Sequence, residues 1–348
     1  MTAICEVCLE TVPSQITYRD DGVWLEKECP THGPSAHLIE PDAEFYRMAL
    51  TQEKDPEKRD VWAKIFTTTG LDVTRRCNVR CPHCYVEPDN RVKDIERADL
   101  VTLAKSAVRS DSIILMGAEP TMRNDLAELI ADIKRETGKS VGVYTNAIRL
   151  ANERYANEVF AAGLDYACVS LHTPSYLPDP KLFDKKIEGI SNLVKAGVPI
   201  HHISFSLRSI DELDGVLGDA LALRDTASHI RIRSPQQVGV CEDEPMHLSD
   251  LYNRVVDMLE TAGHTVALVH SDNTPYHVNL LVDGCQVFRL IRWPTLATAD
   301  LEALDCPPYA LFDRESGEVN LVLSFLLQEA RRNRTPPPVR IKAPVTAA

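Results

Sequence analysis

The sequence predicts an α/β fold: a partial (β/α)6 barrel with a small N-terminal metal-binding module and a C-terminal cap. From about residue 64 onward, short apolar runs alternate with helical segments, as in the βαβ units of a parallel sheet. Gly138, Gly163 and Gly197 end three of the helical segments, each just before the next apolar run. Six of the ten cysteines form two tight groups, one in the N-terminal module and one where the barrel begins.

The six barrel strands are predicted at 65–73, 112–117, 140–145, 166–171, 199–207 and 229–233, and the helices between them at about 96–109, 123–137, 151–162, 182–196 and 210–224. Right-handed crossovers place the helices outside the barrel. Because side chains alternate along a strand, Ala167, Val169 and Leu171 should face the helices, and Cys168, Ser170 and His172 the lumen. In the fifth strand, Ile203, Phe205 and Leu207 likewise oppose His202, Ser204, Ser206 and Arg208. Such a polar lumen favours a polar substrate.

The chain divides into four predicted segments: a loop-rich module at 1–50, the barrel at 61–235, a C-terminal cap and substrate region at 236–333, and a disordered Pro-rich tail at 334–348. The cap is expected to close the open side of the barrel. Within it we predict helices at 248–262 and 318–333, a strand near 264–270 and an apolar stretch at 278–282.

Composition excludes several classes of protein. The net charge of −13 argues against nucleic acid as a partner. No apolar run approaches the roughly 18 residues that span a bilayer, so no membrane partner is expected. The N-terminal residues MTAICEVCLE lack the features of a secretion signal, which predicts a cytoplasmic protein. Ten cysteines in that reducing compartment favour metal binding or chemistry over disulfides.

Three cysteines follow the first predicted strand in the pattern Cys77-x3-Cys81-x2-Cys84. This loop lies at the C-terminal mouth, where (β/α) barrels place their active sites. Thiolates hold iron–sulfur clusters, and a four-iron cluster takes four ligands, so three cysteines leave one iron open. A zinc site is the alternative use of the three thiols.

The spacing of these cysteines resembles the signature of the radical SAM superfamily. The resemblance implies a 4Fe-4S cluster whose open iron binds the amine and carboxylate of S-adenosyl-L-methionine (SAM). An electron from a donor such as flavodoxin or ferredoxin would then cleave SAM and release a 5′-deoxyadenosyl radical. The family usually has an aromatic residue before the last cysteine; here His83 takes that place, to lie near the adenine, and Tyr85 follows the motif.

The residues GAEPT at 117–121 resemble the Gly-Gly-Glu-Pro element of the same superfamily, with Ala118 in place of the second glycine. The resemblance implies that Gly117, Ala118, Glu119 and Pro120 bind the cofactor. Glu119 would accept a hydrogen bond from the methionyl amine of SAM.

Polar residues at the ends of later strands complete the expected site. Asn146 is placed to meet ribose hydroxyls, and Ser170 and His172 to meet SAM or substrate. Arg208 and Arg233 could pair with the SAM carboxylate or with an anionic substrate. For each residue, a barrel side chain satisfied by its neighbours is the alternative.

The second cysteine group predicts a structural zinc site. Cys5, Cys8, Cys29 and His32 form two Cys-x2-ligand pairs, which give three sulfurs and one nitrogen and leave no open position. A module of this size has little hydrophobic core, so a bound metal ion would add to its stability. The arrangement resembles the N-terminal element of some radical SAM branches, including tetraether-lipid synthases and pterin methyltransferases. An auxiliary iron–sulfur cluster is the alternative.

The resemblance implies a radical SAM enzyme of the lyase or oxidoreductase type. Because the lumen is polar, we expect hydrogen abstraction from a small polar metabolite of the sugar or nucleoside type. Elimination or dehydration, decarboxylation or epimerisation would follow, in natural-product and especially antibiotic biosynthesis. The alternative is radical C–C bond formation or methylation of a lipid, pterin or peptide. A non-catalytic zinc and iron–sulfur scaffold is the third hypothesis.

Overall fold

The computed structural model describes residues 1–51, 68–108, 110–174, 177–269, 276–300, 309–313 and 317–320. The predicted tail at 334–348 and all but the first residues of the helix predicted at 318–333 lie outside these ranges. In the described part of the chain, no helix has the length and apolar character needed to cross a membrane.

The N-terminal module is a four-stranded antiparallel sheet, with strands in sequence order. It comprises β1 (Thr2–Ile4), β2 (Thr11–Arg19), β3 (Gly22–Cys29) and β4 (Gly33–Glu40), followed by helix α1 (Ala43–Thr51). The prediction of a loop-rich module was therefore wrong. Gly33 and Pro34, which suggested a loop, begin the edge strand β4, where a missing N–H is tolerated.

The predicted barrel strands are all present and parallel, in the order of the chain. They are β5 (Thr68–Thr74), β6 (Ser112–Gly117), β7 (Ser140–Thr145), β8 (Tyr166–Ser170), β9 (Ile200–Ser206) and β10 (His229–Arg233). Helices α2 (Arg97–Ser106), α3 (Leu126–Thr137), α4 (Glu153–Ala161), α5 (Lys181–Lys195) and α6 (Leu213–Ala222) alternate with them. Val169, Ile203 and Phe205 lie in the core against the helices, as the alternation predicts.

The C-terminal region contains the helix predicted at 248–262 and a strand within the predicted 264–270, and its strands pair with the barrel sheet. It adds α7 (Leu248–Thr261), β11 (Val266–Val269), β12 (His277–Val282), β13 (Gln286–Ile291), β14 (Tyr309–Asp313) and β15 (Gly317–Asn320). Strand β13 pairs in parallel with β10, and β14 pairs in parallel with β5. The described C-terminal strands therefore continue the sheet at both edges. Exposed edge groups on β5 and β10 are satisfied by this pairing.

Buried polar contacts join the N-terminal module to the C-terminal region. Lys27 Nζ lies 3.4 Å from the carbonyl oxygen of Leu296, to which it donates. Arg292 donates to the carbonyl oxygen of Ile39 over 3.0 Å. Both cationic side chains are buried, so the module is fixed against the sheet.

Candidate active site

The cysteine loop follows β5 directly. It is shaped by hydrogen bonds within the connection between β5 and α2. The N–H of Cys77 donates to Asn90 Oδ1 over 3.0 Å, and the thiol of Cys84 donates to the carbonyl oxygen of Val86 over 2.7 Å. The N–H of Val79 approaches Cys77 Sγ at 3.4 Å. A backbone N–H that points at a sulfur stabilises the negative charge of the thiolate, which is the form that binds metal.

The three thiols of the cysteine loop share a buried environment that disfavours their negative charge. Burial, and then the neighbouring acidic groups, raise the pKa of Cys77 to about 12 and that of Cys81 to about 11. Burial also raises the pKa of Cys84. A cationic metal centre would offset both the burial and the mutual repulsion of the thiolates.

A segment after β10 supports the cysteine loop from the C-terminal side. The N–H of Val240 donates to the carbonyl oxygen of Cys84 over 2.9 Å. Gly239 has φ +61°, and an added Cβ would lie 2.3 Å from that same carbonyl oxygen and 2.6 Å from the carbonyl oxygen of Tyr85. Glycine is therefore needed for this close approach. The sequence pattern did not identify this support.

The element GAEPT lies beside the cysteine loop. Gly117 has φ +118°, and an added Cβ would lie 2.5 Å from the carbonyl oxygen of Thr74. The N–H of Ala118 donates to that oxygen over 3.0 Å, so this methyl-bearing residue fits where the resemblance expects glycine. Pro120 begins a 3-10 turn that ends at Met122. The motif thus fixes the turn between β6 and α3.

Glu119 lies at the centre of a buried hydrogen-bond network. Its Oε1 accepts from the N–H and hydroxyl of Thr121 and from the hydroxyl of Thr145, at 2.6 to 3.1 Å. Its Oε2 accepts from the N–H of Asn146 over 2.7 Å. Burial raises its pKa, although these donors oppose the effect. Oε2 accepts one hydrogen bond from the described residues and so retains capacity for the methionyl amine.

Asn146 follows the barrel strand β7 and links it to the cysteine loop. Its Nδ2 donates to Asn78 Oδ1 over 2.7 Å and lies 3.9 Å from Cys77 Sγ. Its Oδ1 accepts from the N–H of Ile148. The predicted contact to a ribose would therefore be made by a side chain that already holds the cysteine loop.

His83 and His172 pack edge to face, with ring centroids 4.2 Å apart. His172 Nδ1 accepts from the N–H of Ser206 over 3.2 Å, which leaves the proton of the neutral ring on Nε2. Burial and nearby cationic groups lower the pKa of His83 to about 3 and that of His172 well below its usual range. Both rings are neutral, and together they form an uncharged aromatic surface beside the cysteines.

The other predicted residues occupy different positions around the mouth. Tyr85 donates to the carbonyl oxygen of Gly117 over 3.2 Å, which ties the two motifs together. Arg233 donates to Ser206 Oγ over 2.9 Å and is partly buried. Arg208 forms a 3.3 Å ion pair with Asp243, and its side chain is 47% exposed.

Sequence reasoning missed Lys186, which is fully buried on α5. Its Nζ donates to the carbonyl oxygens of Ser170 and Leu171, each over 2.9 Å. Burial lowers its pKa to about 8, while Cys81 and Glu119 oppose that shift. The available signal was its place on an apolar helix face, three and four residues before Gly189 and Ile190.

Asp72 was also missed. It lies on β5 between the core residues Leu71 and Val73, so alternation turns it to the lumen face. Its side chain is accessible, and burial by the surrounding walls raises its pKa. A charged residue inside an otherwise apolar strand was the available signal.

The zinc ligands of the N-terminal module are brought together as predicted. Cys5, Cys8, Cys29 and His32 present ligand atoms that all lie within 4.8 Å of one another. Cys8 Sγ lies 3.7 Å from Cys29 Sγ, and His32 Nδ1 lies 3.6 Å from Cys5 Sγ and 3.5 Å from Cys29 Sγ. A tetrahedral zinc ion would give about 3.8 Å between sulfurs and about 3.6 Å between sulfur and nitrogen. The set fits zinc, and four protein ligands close the site.

Comparison with known families agrees with both sites. Residues 71–216 match the profile of the radical SAM superfamily, and residues 1–41 match the profile described as the HMPTM N-terminal zinc ribbon domain. The first match contains the cysteine loop, Glu119, Asn146 and His172; the second contains the four zinc ligands.

The chain is similar to enzymes of several activities. It is 31% identical over 187 residues to 7,8-dihydro-6-hydroxymethylpterin dimethyltransferase of Methanocaldococcus jannaschii, an alignment that covers 47% of this chain and 37% of the relative. It is 32% identical over 183 residues to a probable GTP 3′,8-cyclase of Sulfurisphaera tokodaii, covering 49% of this chain and 56% of the relative. The chain thus matches about half or less of the length of these relatives.

Among solved structures, Streptococcus suis SuiB bound to its precursor peptide SuiA superposes with a TM-score of 0.45 at 13% identity, covering 76% of this chain and 71% of that one. The cysteine spacing, the parallel sheet and the two family matches agree with one another. Residues 71–216 therefore form a region of the radical SAM superfamily, and residues 1–41 form an N-terminal zinc ribbon.

Proposed function

We propose that the chain is a radical SAM enzyme that abstracts a hydrogen atom from a small polar metabolite, with a nucleoside or nucleotide as the first candidate. The observation that carries this proposal is the polar lining of the barrel lumen. Residues paired in register on neighbouring strands share one face of a sheet. On that face, one row across the sheet consists of Asn279, Arg289, Arg231, Ser204 and Ser170.

A second row of side chains lies two residues earlier along the strands, toward their N-terminal ends. It consists of His229, His202, Cys168 and Tyr144. Amide, guanidinium, hydroxyl and imidazole groups therefore line the wall from β12 to β7. A substrate with several polar atoms can form hydrogen bonds with such a wall, whereas an apolar substrate cannot.

The cluster and SAM, when bound, supply a 5′-deoxyadenosyl radical that removes a hydrogen atom from the substrate. Cys77, Cys81 and Cys84 would hold the cluster, and Glu119 would orient the methionyl amine. The part of the chain is to hold the reacting carbon close to that radical and to exclude water. Asp72 lies on β5, five strands along the sheet from the strand β10 that carries Arg231, and could accept from a substrate N–H or O–H.

The probable GTP 3′,8-cyclase supports a nucleotide-type substrate, because its name describes a reaction on a purine nucleotide. An electron donor such as flavodoxin or ferredoxin is part of the proposal, since reductive cleavage of SAM would need an electron supplied to the cluster. Lyase or oxidoreductase chemistry, including a role in antibiotic biosynthesis, remains within this first candidate.

Methylation of a pterin is the second candidate. Two observations favour it: the match of residues 1–41 to the HMPTM zinc ribbon and the similarity to the pterin dimethyltransferase. A pterin ring carries amino, oxo and ring-nitrogen groups, so it also suits a polar lumen. The two candidates differ in the fate of the substrate after hydrogen abstraction: the pterin gains a methyl group, whereas the nucleotide gains no carbon.

The test is anaerobic incubation of the reconstituted protein with SAM, a reductant and deuterated candidate metabolites. Transfer of deuterium into 5′-deoxyadenosine identifies the substrate. A nucleotide that donates deuterium without gaining carbon supports the first candidate; a pterin that gains a methyl group supports the second. If SAM gives no 5′-deoxyadenosine under any condition while the cluster is intact, the chain is a scaffold and the proposal fails.

A further inference from the structure

We propose that the buried ammonium group of Lys186 stabilises the iron–sulfur cluster held by the cysteine loop and raises its reduction potential. Lys186 acts through its positive charge and is not a ligand of the cluster. The inference rests on the cluster-binding part of the proposed function and is independent of the substrate. It assigns control over cluster reduction to a residue that lies outside both the cysteine motif and the GAEPT element.

Lys186 is fixed at the mouth of the barrel. It lies on α5, and its side chain is 0% exposed, although lysine is almost never fully buried unless it is paired. Its Nζ donates to the carbonyl oxygens of Ser170 and Leu171, each over 2.9 Å, at the carboxyl end of β8. Because β5 and β8 are parallel strands of one sheet, the cysteine loop after β5 lies at the same edge.

A short series of contacts leads from Lys186 to the cysteine loop. His172 directly follows the two residues whose carbonyl groups bind Nζ. The ring of His172 packs edge to face against the ring of His83, with centroids 4.2 Å apart. His83 lies between Cys81 and Cys84, two of the candidate cluster ligands. The two neutral rings therefore connect the end of β8, where Lys186 binds, to the cysteine loop.

The charge of Lys186 is held by neutral groups. Among the described residues, no carboxylate lies at ion-pair distance from its Nζ, which donates only to backbone carbonyl oxygens. Burying a cation is costly unless an anion lies nearby. Burial lowers the pKa of Lys186 to about 8, and the negative charges that oppose this shift are those of Cys81, Glu119 and Cys77. The anions that act on Lys186 therefore belong to the candidate cluster site.

The interaction is mutual at the cysteine loop. Burial raises the pKa of Cys81 to about 11, and the positive charge of Lys186 opposes that rise. Three thiolate ligands make a bound four-iron cluster anionic, and reduction by one electron adds a further negative charge. A cation near the cluster in a buried site therefore stabilises the reduced form more than the oxidised form, which raises the reduction potential.

A purely structural role is the rival explanation. Lys186 would then only hold the end of β8, and with it His172, by binding the two carbonyl groups. Under that explanation, a neutral residue that preserves this part of the fold would leave the reduction potential of the cluster unchanged. The potential therefore separates the two roles.

The experiment measures the midpoint potential of the cluster in the zinc-loaded full chain after anaerobic reconstitution with iron and sulfide. Dithionite supplies one electron per cluster, and electron paramagnetic resonance follows the reduced form in the absence of SAM. In Lys186→Gln and Lys186→Met, the equilibrium constant for reduction should fall by about tenfold, a shift of about 59 mV to a more negative potential. The potential is read only from clusters that have formed, so a lower yield of folded protein does not move it.

Matched variants separate the charge from the hydrogen bonds. Lys186→Gln keeps an N–H donor for the carbonyl groups of β8, whereas Lys186→Met removes it, and both remove the charge. Lys186→Arg keeps the charge and should retain most of the wild-type potential. Lys185→Met removes the same charge from the adjacent, exposed position on α5 and should leave the potential unchanged. Zinc content and far-ultraviolet circular dichroism check that each variant is folded.

Three outcomes would overturn the inference: the neutral variants keep the wild-type potential, Lys186→Arg shifts it as far as they do, or Lys185→Met shifts it equally. The first two would leave Lys186 with a structural role, and the third would make the effect one of net charge. If the wild-type chain binds no iron–sulfur cluster, the inference and the proposed function fail together. If the potential shifts as expected but the wild-type protein forms no 5′-deoxyadenosine from SAM, the inference stands and only the proposed chemistry fails.

Discussion

The backbone N–H of Val240 donates a 2.9 Å hydrogen bond to the carbonyl oxygen of Cys84, the last cysteine of the candidate cluster loop. A segment 156 positions later in the sequence therefore supports the loop that holds the metal. Gly239, the residue before Val240, permits this approach because a side chain would meet the backbone of Cys84 and Tyr85.

Substituting Gly239→Ala should reduce cluster loading. The new Cβ would lie 2.3 Å from the carbonyl oxygen of Cys84, a distance that forces the loop to move. Iron and sulfide per chain, measured after anaerobic reconstitution, should fall well below the wild-type values. Gly284→Ala is the matched control: its φ of +68° gives similar backbone strain, but its Cβ would meet no atom within 4 Å. Equal iron content in both variants would refute the support role of Gly239.

Substituting Glu119→Gln should destabilise the fold. Four donors surround the carboxylate, so the amide NH2 of glutamine must face at least one of them. An unsatisfied buried donor costs about 1 to 3 kcal/mol in the free energy of unfolding, which urea titration measures. Glu158→Gln, on the exposed face of α4, should change it by less than about 0.5 kcal/mol. If the two variants unfold alike, the network around Glu119 does not stabilise the protein.

Acid should destabilise the protein through its buried histidines. The folded-state pKa values of His202 and His229 are lowered well below about 6.5, the value of an unfolded histidine. Below that pH the unfolded chain binds more protons than the folded one, so stability falls as pH falls. Each residue contributes a slope of about 1.4 kcal/mol per pH unit.

Urea unfolding between pH 7.5 and 5.5 measures this slope. His202→Gln removes one titrating group and should make the fall in stability shallower by about 1.4 kcal/mol per pH unit below about 6.5. The variant should have no effect on the slope above that pH, because the histidine is then neutral in both states. An unchanged slope in the variant would mean that His202 is protonated in the folded protein.

The ribbon should hold one zinc ion independently of the cluster loop. Cys8→Ser removes one of the four ligands, and the remaining thiolates bind zinc less tightly. Metal analysis of the purified protein should show zinc lost in Cys8→Ser but retained in Cys81→Ser. Iron, by contrast, should be lost in Cys81→Ser and retained in Cys8→Ser. Iron bound at the ribbon of the wild-type protein would favour the auxiliary cluster.

Local patterns were sufficient to predict the barrel strands. Both the alternation of side chains along a strand and the glycines that end the helices involve only residues that are close in sequence. The spacing of Cys77, Cys81 and Cys84 and of the ribbon ligands likewise follows from short stretches. The four ribbon strands were missed because Gly33 and Pro34 are ambiguous between a loop and an edge strand. The pairing of the C-terminal strands was not predicted, because β13 and β14 pair with strands distant in sequence and no local pattern specifies which strand edge they join.

The sequence by itself determined the chemistry of the two metal sites, since ligand type and spacing decide whether a site is closed by four ligands or left open by three. Only the tertiary structure decided which polar groups share the lumen. Arg231 and Arg289 are 58 residues apart, and their proximity depends on the parallel pairing of β10 with β13. The burial of Lys186, the accessibility of Asp72 and the contact of Gly239 with Cys84 also depend on long-range packing, which creates environments that no short stretch of sequence contains.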